Sequence, residues 1–468
     1  MSNTVKVAFG FFLVFFAYFC FTSYFLPKAA GPDFSFSRAA ADFYYSENRM
    51  ATVPADEDKM VFSGYGNSRL LRPPLGFYLP AQMAKLPILK DVPRFYAYRI
   101  AIAMLAGLTV MLIFLALKAY FNDFRYAVFG TLCAALMPQF SFYASYFSDD
   151  MIAFFASSLL VYCMVLIVKQ GISLKRQLLF AFAAGLSVVS KPTAWIFLGP
   201  AIGFYLIFML DYSKEFFNSR HFYWPLGLMT TVFIIAGGWW LLFNMYHYGP
   251  SEIILSKTIA DMSARHSTLD LSQFGFAAQG IGMKQLLFLN HKNFLGATYI
   301  AFVGNLDWLR LRVGPLQYAF YLWLVIGFVL NGMVLAYQTV QHFIVRIQGV
   351  SFESFPRLFV FEYILYIAIL LQFVLYTRLN VYMDIQIQGK YLMTMFIPML
   401  ILALSFFQKT MSYLKNRFEY IEVPFGVKWG VLVILFALPI VVHLDALVDH
   451  VIPFYWPDTK IPLILSWL

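Results

Sequence analysis

Charge is scarce in this 468-residue chain: Asp, Glu, Lys and Arg together make up 12% of it, about half the share found in a soluble domain. With 61% of residues hydrophobic, 53 Phe and 30 Tyr, such a chain cannot present water with a polar surface on all sides. Soluble-enzyme readings are excluded. Cysteine is scarcer still. Cys20, Cys133 and Cys163 each lie inside an apolar run, and the long polar stretches carry none, which argues against a disulfide framework. No Asn-x-Ser/Thr sequon occurs, which favours a bacterial cell envelope over a secretory lumen. P-loop, Gly-x-Ser-x-Gly, His-Glu-x-x-His and Cys-x-x-Cys patterns are missing, as are internal repeats and low-complexity tracts. Acidic residues are the rarer sign, 24 against 34 basic. In a membrane protein that imbalance reflects topology and anionic headgroups, not nucleic acid.

What the chain has in quantity is long apolar runs. A membrane-spanning helix needs about 20 such residues. Eleven spans are expected, at 7–26, 98–117, 127–146, 151–168, 177–190, 193–210, 223–243, 315–337, 358–376, 390–407 and 429–447. The first run is longer than the ~7–15 residues of a signal-peptide core and reads as an anchor. With the N-terminus placed inside, the short inside loops collect Lys6, Lys118, Arg125, Lys169, Lys175, Arg176, Lys214, Arg220, Arg346, Arg357, Lys409, Lys415, Arg417 and Lys428. That arrangement obeys the positive-inside rule. It leaves the long loops 27–97 and 244–314, and the C-terminus, outside. Both loops mix Pro, Gly and aromatics and read as ordered caps with short interfacial helices. Residues 177–210 also admit a single helix kinked at Lys191-Pro192, which would reverse everything downstream; the charge rule favours two spans.

Ionisable residues at a membrane edge are functional candidates by default, and in this topology most gather on the outer side. They are Asp33 and Arg38 after the first span, Arg72 in Arg72-Pro73-Pro74-Leu75, Asp149 and Asp150 in the turn before the fourth span, Lys191 in Lys191-Pro192-Thr193, Arg378 and Asp384, and the stretch Gln388-Gly389-Lys390-Tyr391. Asp33 follows Gly31-Pro32 and is either a general base over an outward cavity or the N-cap of a helix beginning at Phe34. The paired carboxylates Asp149-Asp150 suit a divalent cation or a second acidic role. Equally, Asp at the start of a helix suits the helix dipole. Lys191 calls for an anionic partner such as a lipid phosphate, or else snorkels to the surface. His266 and His291 lack metal-ligand spacing.

These motifs, in this order, make the chain resemble the GT-C superfamily of polytopic glycosyltransferases. Within it, the likeness is to a bacterial family with a Pro-Pro-Asp-Glu-like motif after span 1. That family also carries a Pro-Pro-Leu loop, an Asp-bearing turn before span 4, a Lys-Pro-Thr break, a Gly-x-Leu-Asp-Trp stretch and a Gln-Gly-Arg-Tyr motif opening a late span. Here these read Gly31-Pro32-Asp33-Phe34, Arg72-Pro73-Pro74-Leu75, Ser148-Asp149-Asp150, Lys191-Pro192-Thr193, Gly304-Asn305-Leu306-Asp307-Trp308 and Gln388-Gly389-Lys390-Tyr391. Phe34 stands where an acidic residue is usual, which weakens a metal site in this loop. Lys390 replaces Arg, keeping the charge without the bidentate fork.

The resemblance implies an all-α GT-C-type bundle. A catalytic module would span 1–212 with the loop 27–97, and a C-terminal module 213–468 with the loop 244–314. It implies an enzyme of the bacterial inner membrane that moves a sugar from an undecaprenyl-type polyprenyl phosphate to an envelope glycan or lipid on the periplasmic face, as in O-antigen modification. A polyprenyl-phosphate sugar synthase and a flippase would act upstream. Asp33 would be the base, with inversion at the anomeric carbon, and Asp149 and Asp150 the companion acids or holders of a divalent metal. Lys191, Arg72, Lys390 and Arg38 would bind the donor phosphate, and Gln388, Tyr391, Asp307 and Trp308 the substrates. A lipid flippase or transporter is the rival class; it would place its polar site at the midplane, in repeated halves. An O-antigen polymerase or ligase is the rival enzyme.

Overall fold

A computed structural model describes residues 3–212, 220–270, 273–347, 356–417 and 425–457. Lys214 and the last residues of the chain lie outside the described residues, as does the start of the C-terminal module at 213. Each of the eleven expected runs meets a helix. The spans begin with α1 (Asn3–Phe25); after the loop helices α2 (Phe34–Glu47) and α3 (Leu75–Met83) come α4 (Arg94–Phe121), then α5 (Phe124–Ala135) with α6 (Pro138–Ser145), and α7 (Asp150–Gln170). The α5–α6 pair is one run bent by 62°, and the bend falls at Met137-Pro138, where Pro opens α6 and its predecessor is extended. Next come α8 (Leu174–Ser190), α9 (Pro192–Tyr212), α10 (Arg220–Phe233) continuing into α11 (Trp239–Tyr248), and then the second long loop. That loop carries α12 (Ser256–His266), α13 (Met283–Leu287) and α14 (Phe294–Gly304). The last spans are α15 (Pro315–Ile347), α16 (Arg357–Tyr382), α17 (Phe396–Arg417) and α18 (Phe425–Asp445), followed by α19 (Ile452–Tyr455).

The ambiguity at 177–210 is resolved by packing. Lys191 is extended (φ −161, ψ 147), as the residue before a proline tends to be. Gln177, near the start of α8, donates to the Tyr205 hydroxyl in the second half of α9 at 3.1 Å, and Phe180 stacks on Tyr205. The two helices therefore run antiparallel as a hairpin and not as one kinked helix; nine helices among the described residues, or ten with the bent α5–α6 pair, are long and apolar enough to cross a membrane, and α8 falls just short of that length. The 17 residues of α8 reach about 25 Å, short of a ~30 Å hydrocarbon core, so its end at Lys191 sits near the membrane edge.

Among the described residues the α7, α4 and α17 spans are the most enclosed by the rest of the protein, and α1 the least. A buried polar knot ties the end of the bundle away from the long loops. Glu362 accepts from Lys409 (2.8 Å), Tyr120 (2.7 Å) and Ser405 (2.6 Å), so its charge is compensated inside the bilayer. At the opposite end the described parts of the two long loops clasp each other. Tyr65 bridges to Ser267, Ser263 donates to Asn67 at 3.0 Å, and Glu57 pairs with both Arg265 and His266. His266, stacked on Phe62, thus has a structural explanation.

Candidate functional site

The first site residue is placed by what happens at the end of α1. Arg99, fully buried in α4, donates to the carbonyls of Ser23, Leu26 and Pro27 at 2.6–2.7 Å. A cation thereby satisfies the last carbonyls of α1 and the negative end of its dipole. The chain then turns at Gly31, whose φ of +91 only glycine adopts easily. A Cβ there would lie 2.3 Å from the Tyr146 ring. The Gly31 amide donates to Asp307 at 3.0 Å. Asp33 follows in the left-handed region (φ 63) at the start of α2, and its side chain makes no capping bond. The carboxylate instead faces Arg69 at 2.7 Å and Lys390 at 3.2 Å. Of the two sequence readings, the cap is not the one the side chain adopts.

A short turn, Arg69–Leu71, capped by Ser68, carries Arg69 into the site. Arg72 is extended before Pro73, and its guanidinium lies 3.9 Å from Asp149. Just beyond, Gly76 packs so closely that a Cβ would come within 2.9 Å of the Asp149 Cβ. Asp149 and Asp150 open α7, and the Lys191 ammonium reaches both, at 2.8 and 2.6 Å. Lys390 is buried. Its neighbour Gly389 lies so close to α14 that a Cβ would stand 2.0 Å from the Ala301 carbonyl oxygen.

Arg69, Arg72, Lys191 and Lys390 thus stand against Asp33, Asp149 and Asp150, four positive charges to three negative, net +1. Burial alone would push the Asp33 carboxyl up. The charges of Lys390, Arg69 and Lys191 overcome it and hold Asp33 below the usual carboxylate range. Asp149 follows the same logic, with burial outweighed by Lys191, Arg69 and Lys390. These groups lie at the ends of spans or in the first long loop, away from the midplane where a transporter's site was expected.

Not every sequence candidate joins them. Arg38 is turned to Asp42 in an exposed i,i+4 pair at 3.4 Å. Asp307 is fully enclosed between Gly31 and Arg310 and acts on the loop bearing Asp33. Trp308 is 51% exposed on the tip of a two-stranded hairpin, β1 (Asn305–Leu306) and β2 (Leu311–Arg312). The Tyr391 phenol donates to the Gln386 side chain. Gln388 keeps a buried Oε1 without a hydrogen-bond partner. Asp384 accepts from Tyr65 at 2.5 Å. Arg69 is the residue that sequence reading missed. One of its guanidinium nitrogens, Nη1, is buried without a partner. The available signal was the Arg-x-x-Arg spacing, because residues three apart eclipse in a 3₁₀ turn.

A cavity of about 670 Å³ lies apart from these charges, lined mainly by apolar residues such as Phe25, Phe142, Leu306, Leu447 and Trp456.

Residues 71–240 match the family model of dolichyl-phosphate-mannose-protein mannosyltransferases. That segment contains Arg72, Asp149, Asp150 and Lys191. No curated protein matches the chain. Among solved structures, an oligosaccharyltransferase of Archaeoglobus fulgidus in its apo form superposes with a TM-score of 0.51 at 15% identity, over 95% of this chain and 55% of that one. This chain thus corresponds to about half of that enzyme's length. The archaeal oligosaccharyltransferase AglB of the same organism, with an inhibitory peptide and a dolichol-phosphate, gives 0.48 at 14%, over 93% and 55%. ArnT of Cupriavidus metallidurans bound to undecaprenyl phosphate gives 0.40 at 14%, over 91% and 82%. The fold is the expected all-α membrane bundle, and it is shared with the oligosaccharyltransferase that superposes at a TM-score of 0.51.

Proposed function

We propose that this chain, a multi-pass membrane protein of GT-C fold, is a glycosyltransferase that moves a sugar from a polyprenyl-phosphate donor to a cell-envelope glycan or lipid acceptor on the outer face of the membrane. One observation carries the reading: the Asp33 carboxylate is held between Arg69 and Lys390, inside a cluster whose net charge is +1. A polyprenyl-phosphate sugar carries a single negative charge at its phosphate and matches that excess.

The chemistry follows from the charges. Asp33 takes the proton of an acceptor hydroxyl. The resulting oxygen attacks the anomeric carbon from the side opposite the phosphate, the carbon–oxygen bond to phosphate breaks, and the configuration inverts. The leaving polyprenyl phosphate gains negative charge, reaching about −1.5 to −2 for a phosphomonoester, and preorganised cations stabilise that development. Arg69 has an unpartnered nitrogen for it, Arg72 is only loosely held at 3.9 Å, and Lys390 completes the set. While Arg69 and Lys390 face Asp33, its carboxylate is a weak base. A phosphate that draws those two cations away raises its basicity, so the base is strongest when donor is bound.

The test is transfer of radiolabelled sugar from a purified polyprenyl-phosphate sugar by the protein in proteoliposomes, against an envelope extract as acceptor. Label should pass to the acceptor with wild-type protein and not with Asp33→Asn. Equal transfer by the two would remove the assignment.

A further inference from the structure

We infer that the Lys191 ammonium occupies the seat a divalent metal would take in this site, so that the proposed transfer runs on the chain's own cations. The inference rests on the reading of the cluster as the site of transfer. Adjacent carboxylates such as Asp149 and Asp150 are an arrangement that suits a divalent ion. Here one oxygen of each carboxylate lies 2.8 and 2.6 Å from the same ammonium nitrogen. The side chains of Lys191, Asp149 and Asp150 are only 7%, 4% and 11% exposed, so water does not compete for the contact.

The oxygens left over do not build a second cation site. The other oxygen of Asp150 accepts from Ser148 at 3.2 Å, and that of Asp149 faces the Arg72 guanidinium at 3.9 Å. The third carboxylate, Asp33, is engaged by Arg69 and Lys390. Among the described residues no group of three His, Cys, Asp or Glu side chains is placed to hold a metal. Hard divalent cations ask for about six or more oxygen ligands. Adding one here would raise a net +1 to +3 beside four side-chain cations. The residues present therefore do not fit a metal. Lys191-Pro192 has a matching logic: the proline holds Lys191 extended between two helices (φ −161, ψ 147), which fixes the backbone that delivers the ammonium.

Mn²⁺ binding read by electron paramagnetic resonance on the purified full chain in nanodiscs tests this without reference to turnover. Wild-type protein and Lys191→Arg should show no stoichiometric Mn²⁺ site. Lys191→Ala, which vacates the seat while leaving both carboxylates, should bind one Mn²⁺. In the transfer assay, wild-type turnover should be unchanged by chelator, whereas Lys191→Ala should lose at least 10-fold and recover most of it with Mn²⁺ or Mg²⁺. One tight Mn²⁺ on wild-type protein overturns the inference, and so does a folded Lys191→Ala protein that binds none. If Lys191→Ala does not fold, the wild-type and Lys191→Arg titrations decide. If no sugar is transferred at all, the resonance measurement still judges the cation seat while the functional reading fails separately.

Discussion

The Asp307 carboxylate accepts the Gly31 amide at 3.0 Å, joining segments 276 residues apart. The second long loop thereby holds the turn that presents Asp33. This gives Asp307, expected from its motif to meet substrate, a positioning role. Asp307→Asn retains an acceptor oxygen for Gly31 and should keep turnover within a few-fold. Asp307→Ala leaves a buried amide without its partner, a loss of about 1–3 kcal/mol. Its kcat should fall roughly 10- to 100-fold with donor KM nearly unchanged, because the phosphate cations stay in place. A parallel rise in donor KM would point to direct substrate contact instead. Steady-state kinetics of the two variants separates these outcomes.

The phosphate cations should show the opposite pattern. Removing one charged hydrogen bond costs about 1.5–3 kcal/mol, roughly 10- to 150-fold in donor affinity. Arg69→Ala and Lys390→Ala should raise donor KM by that order. Arg69→Lys should recover only part of it, since lysine keeps the charge but not the fork that offers the unpartnered nitrogen. Arg38→Ala, which breaks only an exposed pair with Asp42, should change donor KM less than 2-fold, as surface pairs contribute about 0–1 kcal/mol. Full donor affinity in Arg69→Ala would count against its role.

The spans were legible in the sequence because a bilayer imposes length and apolarity on each of them, and even the Lys191-Pro192 break could be weighed by the charge rule. Six of the seven cluster members, Asp33, Arg72, Asp149, Asp150, Lys191 and Lys390, were visible as polar residues at span ends or in the first long loop. What stayed hidden is geometry that no local pattern encodes. Arg38 lies five residues beyond Asp33, about 500° around a helix at ~100° per residue, so closeness in sequence put it on another face. Arg69 hid because the Arg-x-x-Arg spacing brings Arg69 and Arg72 to one side only when the turn between them is 3₁₀. The work of Asp307 depends on a contact with Gly31 that only the folded chain brings together.

Orientation can be tested by labelling single cysteines in intact cells with a membrane-impermeant maleimide. Positions 60 and 280, in the two long loops, should react from outside, and position 415, at the end of α17, should react only after permeabilisation. Met60 and Gly280 lie on the side of Asp33, and Lys415 at the end near the Glu362 knot, so the three report one question. Reaction at 415 in intact cells would turn the site toward the cytoplasm, where nucleotide sugars are available and a lipid-carried donor is no longer required.

Asp33→Asn isolates the base. Asparagine is as much at ease as aspartate in the left-handed region that residue 33 occupies. No helix cap is lost either, because the carboxylate makes no capping bond. Backbone and shape are therefore kept while the proton acceptor is removed. Turnover should fall about 10²- to 10⁴-fold, with donor binding retained, since the base acts on the acceptor in the transition state. The pH profile carries a second sign. Asp33 is held below the usual carboxylate range, so it is ionised throughout neutral pH, and kcat/KM for the free enzyme should show no acid limb until below about pH 4. For stability the direction is the same: a carboxylate with a depressed folded pKa stabilises the protein above the unfolded value, and that contribution is lost as pH falls through the folded one. Thermal melts of wild-type protein should therefore fall as the pH drops below about 4, and by less in Asp33→Asn, whose residue 33 has no charge to lose. A folded, inserted Asp33→Asn protein with full turnover would move the base to the Asp149-Asp150 turn, where Asp149→Asn and Asp150→Asn are the variants to compare.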